Sequence, residues 1–216
     1  GYIQRWRDEP RSRAEIIMTT FPSIESDGQL RFGIETNTAE FLSDLNMAVQ
    51  HKAMPGARWR GVLTFTNRGR EEGRQLKAFV MSLQGPSGRF DISPPDMDQQ
   101  GTLLGSPVVS GGSQTGKTIN TSGWTANQAD LIKAGDYFEI GGELKICTAD
   151  ASSNASGLAT ISFVPPIRVS PAGGSAVVVS NPLLRNCYLA NDNQAMVSVS
   201  GPYIYGLVID FVEDVT

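Results

Sequence analysis

One stretch of this sequence has the residue types and the spacing of phosphate chemistry. Gly111-Gly112-Ser113-Gln114-Thr115-Gly116-Lys117-Thr118 fits the pattern Gly-x4-Gly-Lys-Thr, in which backbone amides cradle phosphates and the lysine reaches the outer ones. Further on, Gly206-Leu207-Val208-Ile209-Asp210 has the form of an apolar strand ending in a Mg²⁺-binding aspartate. Spacing alone does not make the site. A buried parallel strand must precede the loop, and a helix must open after it with its N-terminus toward the phosphates. Here Ile119-Asn120-Thr121-Ser122-Gly123-Trp124 follows, β-branched and turn-forming, without a helical stripe. No alternating βαβ pattern surrounds it, and Leu207, Ile209 and Phe211 read better as one face of a terminal strand. Lys117 is therefore expected to be dispensable, and a P-loop nucleotide-binding enzyme is the remote reading.

Other constellations are thinner. The single histidine, His51, lies in Gln50-His51-Lys52, which reads as a polar connector with no Ser or Cys motif to act as nucleophile. Cys147 and Cys187 both sit in apolar, strand-like stretches and are expected to be buried free thiols rather than a disulfide. With one histidine they are too few for a zinc site. No catalytic residue, metal ligand or cofactor is assigned. Among the aromatics, Trp59 lies on an apolar strand face and is expected in the core. Trp124 sits in a turn-rich segment, where it would cap the end of a small barrel or, alternatively, stack on a sugar.

Composition sets the frame. The 216 residues suffice for one large β domain or two small ones, each with a core. With 40% hydrophobic and 19% charged residues, the chain has the make-up of an ordinary folded protein. No apolar run reaches the roughly 18 residues of a membrane-spanning helix, and Gly1 to Trp6 does not read as a signal peptide. A net charge of −4 argues against a general nucleic-acid binder. Residues 1–100 nevertheless carry 13 basic residues, of which 11 are arginines, side chains whose planar fork suits carboxylates at an interface. Arg5, Trp6, Arg7, Arg11 and Arg13 are the interface candidates; a solvated face is the alternative.

The elements that would carry these residues are mostly strands. Leu30, Phe32 and Ile34 alternate with polar neighbours, and so do Trp59, Gly61, Leu63 and Phe65 within 58–66. One helix is predicted at about 70–84, because Leu76, Phe79, Val80 and Leu83 form a single stripe. Asn67 is its expected cap, Glu71 and Glu72 suit its first turns, and Gly85-Pro86 should stop it. Ser93-Pro94-Pro95-Asp96 marks a boundary. Beyond it, 137–140 and 143–147 read as a hairpin about Gly141-Gly142, with Phe138 and Ile140 facing Leu144 and Ile146. Further strands are predicted at 158–164, 176–179, 194–200 and 204–212, with Pro165-Pro166 as a strand end. Short strands at this spacing mean a small barrel or sandwich.

Several segments together resemble a known family. Phe41-Leu42-Ser43-Asp44-Leu45-Asn46-Met47-Ala48-Val49-Gln50 and Pro55-Gly56-Ala57-Arg58-Trp59 are similar to the early region of distal tail proteins of long-tailed bacteriophages. Phe79 to Phe90, and Leu131 to Gly142 leading to Pro165-Pro166-Ile167-Arg168, continue the likeness. The resemblance implies a mainly β chain: an arm at 1–20, a split β-barrel domain with its helix at 21–95, a second small β-barrel of OB or SH3 type at 96–200, and a C-terminal strand at 201–216 returning to the core. It also implies a virion protein, assembled in the host cytoplasm, that forms a ring of six copies between the tail tube and the tip or hub, with the tape-measure protein as a further partner. Gln114-Thr115-Gly116 would then belong to a linker. The rival reading is a carbohydrate-binding β module of a phage or bacterial adhesion protein, resting on Trp124.

Overall fold

The structure is a computed structural model that describes residues 19–24, 28–194, 196–200 and 202–215. After β1 (Thr19–Thr20), β2 (Leu30–Leu42) and β3 (Val49–Phe65) form a long antiparallel hairpin. β4 (Arg68–Gly69) leads into α1 (Arg70–Ser82), and a 3-10 turn at Gly85–Ser87 delivers the chain to β5 (Phe90–Ile92). The chain then builds a second sheet from β6 (Gly105–Val109), β7 (Gly116–Trp124), β8 (Tyr137–Ile140), β9 (Glu143–Cys147), β10 (Ala159–Ile167) and β11 (Val177–Val178). β12 (Leu184–Leu189) rejoins the first sheet. β13 (Ser198–Ser200) pairs with β14 (Tyr203–Tyr205), β14 pairs with β4, and β15 (Leu207–Glu213) is the last strand of the first sheet in chain order. Among the described residues the fold is mainly β with one α-helix, the class expected from the sequence.

The first sheet has the order β1-β5-β12-β15-β3-β2. The predicted helix stripe is buried as expected: Leu76, Phe79, Val80 and Leu83 share one core with Trp59, Leu63 and Phe65 of β3 and with Phe90, Leu207, Ile209 and Phe211. Phe79 meets Phe90 edge-on at 5.5 Å, and Phe21 packs edge-on against Phe79 at 5.2 Å. Each large side chain buried in this way contributes about 1.5–3 kcal/mol. Gly61 has a steric reason to be glycine, since a Cβ there would lie 2.3 Å from the Phe211 ring.

The second sheet runs β11-β8-β9-β10-β7-β6 and curls into a nearly closed barrel. Val108 of β6 bridges to Ala176, just before β11, and the Val109 N–H donates to Ser175 O at 2.8 Å. Phe138, Ile161, Phe163, Ile119 and Leu131 fill this second core.

Several local expectations need correction. The helix begins at Arg70, with Gly69 at its N-cap and no side-chain cap, so Asn67 does not cap it. It ends at Ser82, and the left-handed residue after it is Gln84 (φ 53°), ahead of Gly85. Gly141-Gly142 does form the two-residue turn, both with positive φ, but that turn pairs Ile140 with Glu143 and Phe138 with Lys145. Leu144 and Ile146 therefore lie on the opposite face, with Glu139 and Tyr137, because side chains alternate with period two. β10 does not stop at the prolines: it continues through Pro165-Pro166 to Ile167, which the ladder tolerates because its register shifts between Ser162 and Ile167. The predicted strand at 204–212 is interrupted at Gly206 (φ 69°). His51 lies in β3, opposite Glu40, and not in a connector.

Candidate functional site

The phosphate-like motif has the wrong surroundings for phosphate. Gly111 to Thr115 connect the antiparallel strands β6 and β7, and Gly116, Lys117 and Thr118 are already extended in β7. Gln114 stitches the loop to itself. Its side-chain amide donates to Ser110 O at 2.8 Å and Asn120 O at 3.2 Å, while its Oε1 accepts from the Asn120 N–H at 2.7 Å. Asp210, the other half of the motif, lies in the first sheet and is held by Arg60, Nη2 to Oδ2 2.9 Å. No helix N-terminus follows the loop.

Trp124 offers no open ring for a sugar. It is 5% exposed within the barrel core, and its indole N–H donates to Thr121 Oγ1 at 2.7 Å. Trp124 ends β7, on the face of Ile119 and Thr121 that the barrel buries, so the ring packs into the barrel and not outward toward a sugar. Cys147 and Cys187 are buried free thiols in the two separate cores, and burial pushes the Cys187 thiol well above its ordinary value. No group of three or more His, Cys, Asp or Glu side chains is placed to hold a metal among the described residues. The interface candidates Arg5, Trp6, Arg7, Arg11 and Arg13 lie outside the described residues.

A charge network that no spacing announced runs from the barrel core to the first sheet. Lys145, on the face of Phe138, is fully buried and donates to Glu143 at 2.6 Å and to Pro166 O at 2.9 Å. Glu143 also accepts the backbone N–H groups of Val169 (2.9 Å) and Arg168 (3.2 Å). Burial by itself would raise the Glu143 carboxyl, but these donors together hold it below the ordinary carboxylate value. The Arg168 guanidinium forks onto Glu213 with two 2.7 Å bonds, and Glu213 Oε2 accepts the Trp59 N–H at 3.0 Å. Nearby, Arg185 binds both Glu139 and Asp91. The outer side of β8–β9 carries Tyr137 and Leu144 into the first core, with Glu139 on the same face. Of these pairs, Arg168–Glu213 and Arg185–Glu139 cross between the two sheets and fasten the barrel to the first one, whereas Lys145–Glu143 lies within β9.

The largest feature left over is a protruding arm. β2 and β3 pair from Leu30–Leu63 to Leu42–Val49, with an irregularity between Glu35 and Asn37 where Pro55-Gly56 is accommodated. Up to that point the ribbon is part of the first sheet; beyond it, the two strands pair only with each other among the described residues. The Asn37 side-chain amide donates to Pro55 O at 3.0 Å and steadies the joint. At the far end Phe41, Leu42, Leu45, Met47 and Val49 are all exposed. Sequence reasoning missed this length of strand because neither face of the arm is buried, so no clean alternation marks it.

At the foot of the arm lies an open groove of about 590 Å³. Its walls are mostly apolar, from Met54, Pro55, Val164, Pro165, Ile167 and Val215, and Lys117 and Arg168 also line it. Lys117, the residue singled out by the phosphate-like motif, thus belongs to a mixed apolar and cationic surface between the arm and the barrel. No helix is long and apolar enough to cross a membrane among the described residues. No protein-family model matches the chain, and no curated protein matches its sequence.

Proposed function

We propose that this chain is a non-enzymatic structural protein of a bacteriophage tail tip, built into a closed ring between the tail tube and the tip or hub proteins. Six copies, and the virion as its destination, follow from the family resemblance in the sequence. The observation that carries the reading is the outer edge of β2. That strand ends the first sheet, runs for 13 residues, and no strand pairs with its outer side among the described residues. A long open edge on a projecting arm is a liability in a free monomer, whereas a neighbour in a ring covers it. The two cores, linked by the partly buried ion pairs Arg168–Glu213 and Arg185–Glu139, supply the rigid body such a ring requires.

Cryo-electron microscopy of intact tails tests this. A ring of this chain coaxial with the tube is expected; one copy per virion, or a trimeric fibre off the axis, would overturn the proposal. Deletion of residues 1–13, which hold the arginine-rich interface candidates, should weaken ring assembly and leave thermal unfolding of the monomer nearly unchanged. With Trp124 buried, no observation favours the carbohydrate-binding alternative.

A further inference from the structure

The tip of the arm is apolar on both faces. Phe41 lies opposite Gln50 on one face, Leu42 and Val49 pair on the other, and Leu45 and Met47 crown the turn, 98% and 70% exposed. The turn is well bonded. Ser43 N–H donates to Ala48 O and Met47 N–H to Ser43 O, both at 2.9 Å, and Ala48 N–H donates to Asn46 Oδ1 at 3.1 Å. An isolated two-stranded ribbon is marginal in water, and contiguous apolar side chains on a projecting element mark a contact surface.

The groove at the foot of the arm has the complementary character. It is mostly apolar, with Lys117 exposed in its lining and in no ion pair among the described residues. The tip carries Asp44, likewise exposed and in no ion pair, with Glu40 behind it. The tip cannot reach its own groove. Seven residues of paired strand and turn separate Asn37 from Asp44, about 23 Å at roughly 3.3 Å per residue. The arm of a second copy can reach it, and it brings both the apolar side chains and the acid.

We propose that the tip of one copy's arm docks in the groove of a second copy, with Leu45 and Met47 in the groove and Asp44 beside Lys117. The contact is heterologous, so it closes into a ring or runs on as a filament according to the rotation between copies. Ring closure rests on the function proposed above; the contact itself does not.

Disulfide trapping tests the contact. Asp44→Cys and Lys117→Cys variants are made separately, mixed at high concentration and oxidised gently, the two native thiols being buried. The mixed disulfide should exceed either homodisulfide several-fold, and adding Leu45→Ser to the Asp44→Cys chain should remove the excess. In sedimentation, Asp44→Lys or Lys117→Asp alone should weaken self-association about tenfold, and the two together should restore it. Mixed disulfides in open chains would uphold the contact and overturn the closed ring. Rings without the mixed disulfide would uphold the ring and overturn the contact. Neither rings nor excess mixed disulfide overturns both. Tip-dependent binding to phosphatidylcholine vesicles without the mixed disulfide would overturn the contact in favour of a lipid partner.

Discussion

Two hairpins in this molecule meet opposite fates. β8 and β9 turn through Gly141-Gly142 and are enclosed on both sides: Phe138 faces the barrel core, while Tyr137 and Leu144 enter the first core. β2 and β3 turn through six residues, 43–48, and the outer part of their ribbon is exposed on both sides. The short hairpin even accommodates a lysine and two glutamates, because each is supplied with partners. The long one leaves leucine, methionine and phenylalanine in water. Strand sequence alone therefore does not decide burial; the position of a hairpin relative to other sheets does.

That contrast can be broken or sharpened by substitution. The largest effects are expected in the enclosed hairpin. Phe138→Ala should cost about 3–5 kcal/mol through the cavity it leaves, measured by urea unfolding; a loss under about 1 kcal/mol would mean the barrel core is loose. Glu143→Gln should cost about as much, roughly 3–5 kcal/mol, because it strands the buried Lys145 ammonium. A smaller effect is expected from pH. The folded-state value of Glu143 lies below its ordinary one, so its stabilisation is fully present above about pH 4.3 and is lost as pH falls through the depressed value. Glu143→Gln should flatten that acid limb, and an unchanged limb would place the acid sensitivity elsewhere. In the exposed hairpin, Leu45→Ser should change folding stability by no more than about 0.5 kcal/mol; a larger loss would show that the tip packs on its own chain. The smallest effect is expected at Lys117. Calorimetry with ATP or GTP and Mg²⁺ should show no heat, and a micromolar affinity abolished by Lys117→Ala would restore the nucleotide reading.

Much of the first core was legible because its signals are periodic and short-range. The spacing of Leu76, Phe79, Val80 and Leu83 admits one apolar face, and that face is the buried one. The turn at Gly141-Gly142 was legible for the same local reason, although its pairing was not read correctly: a two-residue loop fixes Ile140 against Glu143, and every partner follows from that. The candidate surface was hardly legible at all. Its apolar residues come from the arm and from β10, more than a hundred positions apart, and Lys117 comes from β7.

By itself, the sequence determined the β class, the helix and its buried stripe, the two buried thiols and the absence of a helix after the phosphate-like loop, all of which depend on neighbours within about eight positions. Tertiary structure alone decided that Trp124 turns inward, that β12 returns to the first sheet, that Lys145 meets Glu143 inside a closed network, and that the arm stands clear of the body. Those outcomes depend on which distant segments compete for the same space and the same hydrogen bonds, and no local periodicity encodes that competition.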